Sequence, residues 1–186
     1  MRGPEMTELD RAFDSTLTIL AKVEPGQLDA PTPCASWDVR ALINHFTGTA
    51  RWWASLVSGK DDAGDADEDS VAAYEENIQI ARAAFGADGV LDATVRLPFG
   101  QFSGATVLGM AAVEQFTHGW DLAHAIGYPT DDLDAGLATE LLGQARDVVT
   151  DAYRGPDGLA LFGPAAEAPA GAGPADQLAA FLGRRA

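Results

Sequence analysis

Apolar side chains recur at helical spacing through most of the chain. In residues 7–23, Leu9, Phe13, Leu17 and Leu20 follow one another at intervals of three and four, which predicts an amphipathic helix with one buried face. Similar patterns predict four more helices. Their expected ranges are about 38–58, 70–85, 103–125 and 134–153, with Ser103 as the cap of the fourth.

Two segments depart from this pattern. In ATVRLPFGQFSG, residues 93–104, Val95 and Leu97 alternate with polar residues before a Pro-Phe-Gly turn signal, which predicts a short hairpin or an irregular connector. Residues 154–186 are rich in Pro, Gly and Ala, and predict a wrap that ends in a short helix after Pro174. We therefore predict one all-α domain over residues 1–186, a four-helix bundle at about 7–153 followed by this tail.

Length and composition narrow the class of protein. The chain has 186 residues, enough for one domain with a substantial core. It has no apolar run of membrane-spanning length, and its N-terminus lacks the apolar middle region of a signal peptide. Its single cysteine, Cys34, fits a reducing compartment. We expect a soluble, cytoplasmic protein that does not bind membranes.

The chain is strongly acidic, with a formal net charge of -16. Such a surface repels phosphate backbones, so nucleic acid is not an expected partner. Much of the excess lies in DDAGDADED, residues 61–69. This run lacks the ligand spacing of an EF-hand, and we interpret it as a solvated loop.

The segment VEQFTHGWDLAHAIG places polar groups among apolar neighbours. Glu114 and His118 are four residues apart and therefore share one helical face, with Asp121 on the same side one turn further on. On the second predicted helix, His45 shares a face with Leu42 and other apolar residues. Three polar side chains from two helices are thus expected to point into one interior.

These residues allow two interpretations. The Glu114–His118 pair could be an ordinary polar pair on a helix surface. Alternatively, His45, Glu114 and His118 are ligands of a divalent metal ion, which would offset the several kcal/mol that desolvation of a buried carboxylate costs. Two histidines and one carboxylate with open positions are typical of catalytic zinc and related sites.

Several other residues could contribute to such a site. Asp121 is a candidate catalytic residue that would orient a ligand or a water molecule, although a surface aspartate is an equal alternative. His124 lies off the Glu114 face, and we expect it to be half-exposed rather than a fourth ligand. Cys34 lies at a helix entrance, where thiol pKa values can fall, but we expect it to be structural. Three tryptophans could form pocket walls or simply pack in the core: Trp37, Trp52 and Trp120.

Two motifs resemble a known superfamily. PTPCASWDVRALINHF and EQFTHGWDLAHAIG resemble the signature segments of DinB-like (YfiT-like) bundles, in particular the actinobacterial branch that includes mycothiol-dependent maleylpyruvate isomerase. The terminal segment FGPAAEAPAGAGPADQLAAFLGR is similar to the same branch. This resemblance covers nearly the whole chain and implies a metal triad at His45, Glu114 and His118.

The resemblance also implies a chemistry. Its thiol-dependent members bring a low-molecular-weight thiol such as mycothiol to the metal, where the thiolate forms and attacks a small electrophile. We therefore expect a metal-dependent S-transferase or isomerase, with zinc as the preferred ion and nickel, cobalt, manganese and iron as alternatives. A homodimer is the assembly that the superfamily suggests.

Two other functions fit the same sequence. A helical bundle fixes no chemistry, so the chain could be a non-catalytic module that binds a metal or a small ligand. It could also be an enzyme of secondary metabolism that uses the same pocket without thiol chemistry.

Overall fold

The computed structural model describes residues 7–34, 36–60, 71–156, 160 and 162–185. Within these ranges the chain forms six helices and one two-stranded hairpin, which confirms the all-α bundle class. The elements in chain order are α1 (Glu8–Leu20), α2 (Val39–Ser58), α3 (Val71–Phe85), β1 (Thr94–Leu97), β2 (Gly100–Ser103), α4 (Gly104–Ala125), α5 (Ala135–Val148) and α6 (Pro174–Phe181).

Local signals fix most helix ends. Thr7 caps α1 by accepting from the Asp10 backbone N–H, and Ser103 caps α4 as predicted. Asp38 was expected inside the first turn of α2, but it is the N-cap, because its side chain accepts from the Ala41 backbone N–H. Gly59 ends α2 with a φ of 66°, a left-handed conformation that glycine adopts without strain.

Helices α1 to α4 form the bundle. Helix α1 packs mainly against α4 and α2 against α3, and α2 also contacts α4. Helices α5 and α6 pack against each other and rest on α4. The buried apolar side chains form one continuous core from α1 to α6. Its largest fully buried members include Trp120, Tyr74, Phe13, Phe46 and Phe116.

The helical periodicity of residues 70–85 and 134–153 predicts Val71 and Val148 on the inward faces of their helices, and both predictions are wrong. Val71, the first residue of α3, is 38% exposed, and Val148, the last residue of α5, is 42% exposed. At the end of a helix, periodicity predicts the face on which a residue lies, but it does not predict whether a neighbouring element covers that face. Helix α5 also stops short of its predicted end at Tyr153, after which the chain makes a separate 3₁₀ turn. The β-branched run Val148-Val149-Thr150 disfavours continuation of the helix there.

The connectors follow the predicted pattern where the structure describes them. Strands β1 and β2 pair antiparallel, with Val95 opposite Phe102, so the expected hairpin is present. The acidic run at residues 61–69 lies outside the described residues. None of the described helices combines the length and apolar character that crossing a membrane requires.

Helices α1 and α4 approach each other closely at Gly119. A Cβ atom built on Gly119 would lie 2.4 Å from the Thr16 hydroxyl oxygen and 3.2 Å from the Thr16 Cβ. Thr16 is fully buried, and its hydroxyl donates to the Gln115 carbonyl oxygen at 2.8 Å. Glycine at position 119 therefore sets the distance at which α1 and α4 cross.

We predict that Gly119→Ala destabilises the protein, because the added methyl group must push α1 away from α4. Overpacking of this kind costs about 1–3 kcal/mol. Gly143→Ala is the matched control. Gly143 is exposed in α5 with nothing near an added Cβ, so alanine should stabilise the protein by up to about 1 kcal/mol. Urea unfolding of both variants measures the difference, and equal stabilities would contradict the tight crossing.

Candidate metal centre

Three predicted site residues meet between α2 and α4. His45 Nε2 lies 3.3 Å from Glu114 Oε1, and His118 Nε2 lies 3.8 Å from the same oxygen. One donor atom from each of the three side chains lies within 4.8 Å of the other two. The two imidazole rings meet edge to face, with their centroids 4.8 Å apart.

The spacing of these donor atoms suits a divalent ion. Ligands about 2.0–2.1 Å from a tetrahedral zinc ion lie roughly 3.3–3.4 Å from one another. The His45–Glu114 distance of 3.3 Å agrees with this value. The His118–Glu114 distance of 3.8 Å is longer, by an amount that a small rotation of one side chain would remove. Two imidazole nitrogens and one carboxylate oxygen are also a donor set that zinc accepts.

Neighbouring donors hold the Glu114 carboxylate in place. Oε1 accepts from the Thr49 hydroxyl at 2.7 Å, while Oε2 accepts from the Gln115 side-chain amide at 2.8 Å and the Trp53 indole N–H at 3.4 Å. Burial raises the pKa of Glu114, but the hydrogen bond from His45 and the nearby histidine charges outweigh it, so the net pKa is lowered. Glu114 therefore presents an ionised carboxylate to the two imidazoles.

This carboxylate is connected to the bundle core through Gln115. The fully buried Gln115 amide also donates to the Phe46 carbonyl oxygen at 3.0 Å, and its side-chain oxygen accepts from the Tyr74 hydroxyl at 2.7 Å. Burial, followed by the charge of Glu114, raises the pKa of Tyr74, so the phenol stays protonated and donates. Residues from α2, α3 and α4 thus fix one carboxylate.

Asp121 holds the other side of His118. It is fully buried, so the interpretation as a surface aspartate is wrong. Its Oδ2 lies 3.0 Å from His118 Nδ1 and 3.0 Å from Arg184 Nη2. Burial raises the pKa of Asp121, but the charges and hydrogen bonds of Arg184 and His118 lower it well below its ordinary value. An ionised carboxylate only accepts, so Nδ1 donates to Asp121, and Nε2 is the ring nitrogen that faces Glu114.

The turn before α2 delivers two more side chains to the site. The Thr32 hydroxyl lies 2.9 Å from the Trp37 carbonyl oxygen and accepts from the Cys34 backbone N–H at 3.1 Å. This places the Trp37 ring against the His45 ring, with centroids 4.3 Å apart, and directs the Cys34 thiol to Asp121 Oδ2 at 3.3 Å. The Thr-Pro-Cys-x-x-Trp motif therefore shapes one wall of the centre.

A second donor set shares His118. Cys34, His118 and Asp121 also offer one ligand atom each within 4.8 Å of one another. The Arg184 guanidinium already contacts both carboxylate oxygens of Asp121. Its positive charge compensates this carboxylate, so Asp121 does not need a metal ion for that purpose. The set of His45, Glu114 and His118 has no such cation among its described contacts, and its side chains are 30%, 19% and 10% exposed. It is the better candidate for a reactive ion, because a ligand can approach from the His45 side.

His124 and Trp52 do not contact the three candidate ligands through any described interaction, and His124 was not expected to be a ligand. His124 is exposed and stacks on Trp120, whose indole N–H donates to Asp176 in α6 at 2.7 Å. Trp52 is 36% exposed and touches Trp53 rather than the ligands. The buried face of α2 is centred about 130° from His45, so His45 lies at the edge of the core instead of in its middle. The buried residues of α2 are Val39, Leu42, Ile43, Phe46, Thr47, Ala50, Trp53 and Ala54.

Sequence reasoning missed four contact residues. Thr49 and Trp53 follow His45 by four and eight residues, so a search along that helix face for hydrogen-bond donors could have found them. Gln115 is adjacent to Glu114, but its helix position points it toward the core. Arg184 is 63 residues from Asp121 in the chain, and the sequence contains no local signal for that contact.

Comparison with known protein families identifies the family of this chain. The mycothiol maleylpyruvate isomerase N-terminal domain family, part of the DinB-like superfamily, matches residues 9–123. That range includes all three candidate ligands. The chain therefore belongs to this family, as its two motifs predicted.

Full-length relatives are also found. Two proteins from two strains of Mycobacterium tuberculosis, the uncharacterized proteins MT0763 and Rv0738, are each 40% identical to this chain over 179 residues, covering 94% of the chain and 94% of each relative. No solved structure is a significant match. The relatives place the chain among actinobacterial homologues and extend the similarity beyond residue 123 into the C-terminal segment.

We predict that Asp121→Asn lowers the free energy of unfolding of the metal-free protein by about 3–5 kcal/mol at neutral pH, because the buried Arg184 guanidinium loses its counter-charge. The folded-state pKa of Asp121 lies below the ordinary 3.8, so its contribution is present above about pH 4 and is lost as the pH falls further. The difference between wild type and variant should therefore shrink in acid.

Denaturant unfolding between pH 3 and pH 7, in the presence of a chelator, measures this difference. Asp92→Asn, which removes an exposed carboxylate on a turn, is the control and should change stability little. A gap between wild type and Asp121→Asn that is constant over this range would contradict the ionised, paired state of Asp121.

Proposed function

We propose that this protein binds one divalent metal ion through His45, Glu114 and His118, and uses it in a mycothiol-type, thiol-dependent transferase or isomerase reaction. The observation that carries the proposal is the position of Glu114 Oε1, at 3.3 Å and 3.8 Å from two imidazole Nε2 atoms. Membership of the mycothiol maleylpyruvate isomerase N-terminal domain family supports the choice of thiol.

The metal supplies one chemical effect in this proposal. A zinc ion lowers the pKa of a coordinating thiol, so that the thiolate forms at neutral pH, and it does the same for water where no thiol is present. Zinc suits the donor set best, while nickel, cobalt, manganese and iron accept similar ligands.

The side chains of the chain prepare this site. Asp121 accepts from His118 Nδ1, which leaves Nε2 as the atom that binds the metal. The hydrogen bonds from Thr49 and Gln115 keep the Glu114 carboxylate from rotating away. Trp37 covers one face of His45. The remaining exposure, largest at His45, leaves room for a thiol and a small electrophile to approach.

The reaction itself follows from a nucleophilic sulfur. The thiolate adds to an electrophilic double bond, the resulting carbon–carbon single bond rotates, and expulsion of the thiolate restores the double bond in the other geometry. Alternatively, the thiolate displaces a leaving group, which departs with the electron pair of its bond, and the sulfur stays on the product. The first course is an isomerisation and the second an S-transfer. Both require the same ligand triad and differ only in the electrophile.

We predict that the purified wild-type protein binds about one Zn²⁺ per chain and that His45→Ala abolishes stoichiometric binding, because it removes one of only three protein ligands. Equilibrium dialysis with elemental analysis measures this on protein without a histidine tag. His124→Ala, which removes an exposed imidazole, is the matched control and should retain full binding. Equal binding by both variants would show that the triad is not the site.

We also predict thiol-dependent turnover. Zn²⁺-loaded protein incubated with mycothiol and a panel of electrophiles should consume thiol, or isomerise a double bond in its presence, and a chelator or His45→Ala should stop either reaction. Product analysis by mass spectrometry distinguishes transfer from isomerisation. Activity that survives both the chelator and the substitution would exclude a metal-dependent mechanism, and bound zinc without turnover across the panel would favour a binding module.

A further inference from the structure

The C-terminal turn approaches the metal centre from outside the bundle. After α6 the chain reverses at Gly183, whose φ is 93°, and the backbone N–H groups of Gly183 and Arg184 donate to the carbonyl oxygens of Ala180 and Ala179. This is a Schellman turn, and it carries the Arg184 side chain back toward α4. Gly183 also packs directly on Gly163, where a Cβ atom would lie 2.6 Å from the Gly163 Cα.

Two further contacts hold this segment against the bundle. At the start of α6, Asp176 accepts from the Trp120 indole N–H at 2.7 Å. At its end, the Arg154 guanidinium donates to the carbonyl oxygens of Gly163 and Phe181, at 3.0 Å and 2.8 Å. The position of Arg184 is therefore set by the packing of the whole segment.

Arg184 reaches the ligand shell through a single intermediate residue. Its Nε and Nη2 atoms contact the two Asp121 carboxylate oxygens at 3.2 Å and 3.0 Å, and the second of these oxygens accepts from His118 Nδ1 at 3.0 Å. A two-pronged contact of this kind fixes the plane of the carboxylate as well as its position. Arg184 therefore sets the position of the Asp121 oxygen that accepts from His118 Nδ1.

We propose that Arg184 is a positioning residue of the metal centre and that metal binding is coupled to the packing of the C-terminal segment on the bundle. Arg184 holds Asp121 in the orientation that keeps the His118 imidazole directed at Glu114. This inference rests on the proposed function, because it assumes that the triad binds the metal. It assigns a role to a segment that lies beyond the family match at residues 9–123.

The proposal has a reciprocal consequence. If the packed position of the segment, which Arg184 joins to Asp121, tightens metal binding by some factor, metal binding must favour that packed position by the same factor. Binding of Zn²⁺ at the triad should therefore protect the amides of the C-terminal turn, although none of these amides touches a ligand.

The first test is the Zn²⁺ affinity of three variants, measured by competition with a chromophoric chelator. Arg184→Gln should weaken Zn²⁺ binding about 10- to 100-fold, the usual effect of losing a group that orients a metal ligand. Arg184→Lys keeps the charge but not the two-pronged contact, and should recover part of the loss. Arg185→Gln removes the same charge from the exposed neighbouring residue and should bind like wild type.

The second test separates positioning from a general loss of structure. In the Asp121→Asn background, Arg184→Gln should weaken Zn²⁺ binding less than 3-fold further, because the path through Asp121 is already broken. A full additional loss in that background would show that Arg184 acts through overall folding, and would overturn the inference. Circular dichroism of each variant checks that the helices remain formed, and the electronic spectrum of the Co²⁺-loaded form reports a change in ligand geometry.

The third test is hydrogen exchange of the full chain with and without Zn²⁺. Peptides that cover residues 174–185 should exchange more slowly with Zn²⁺ in the wild type and in Arg185→Gln, but not in Arg184→Gln. Equal Zn²⁺ affinities of Arg184→Gln and Arg185→Gln, or no protection of the turn in the wild type, would refute this inference while leaving the metal site intact. No Zn²⁺ binding by the wild type would instead refute the proposed function, and this inference with it.

Discussion

The site depends on one buried carboxylate, which lies between two helices. Glu114 on α4 faces α2, and its oxygens accept from Thr49, Gln115 and Trp53 while two imidazoles lie beside one of them. An ionised carboxylate in such a place requires opposing charge or several donors, since desolvation alone costs several kcal/mol. The neighbouring donors orient Glu114, and a divalent cation between the three ligands would neutralise the negative charge of its carboxylate.

A second carboxylate connects this centre to the rest of the fold. Three side chains donate hydrogen bonds to Asp121: His118 from α4 itself, Cys34 from the turn before α2 and Arg184 from the C-terminal turn. These three segments are far apart in the sequence and meet at this group. In the metal site that we propose, the bundle supplies the ligands, whereas the connecting segments determine how one of them is oriented. This division allows the C-terminal segment to tune the metal without touching it.

Local periodicity, helical in the helices and alternating in the hairpin, was sufficient to predict these elements and the convergence of His45, Glu114 and His118, because each depends on spacing within a short stretch of chain. It was not sufficient to predict the covered side of α2, which packs against both α3 and α4, and so Trp53 rather than Trp52 contacts Glu114. The contact of Arg184 with Asp121 depends on how the tail packs after α6 and is not encoded in any local pattern.

The central claim is that the ion binds at the set that contains Glu114 and not at the set that contains Cys34. X-ray absorption at the zinc edge of protein loaded with one Zn²⁺, without added thiol, tests it directly. The account predicts only nitrogen and oxygen neighbours at about 2.0–2.1 Å, with the multiple-scattering signal of two imidazoles. A sulfur neighbour at about 2.3 Å would place the ion at Cys34, His118 and Asp121, and would contradict it.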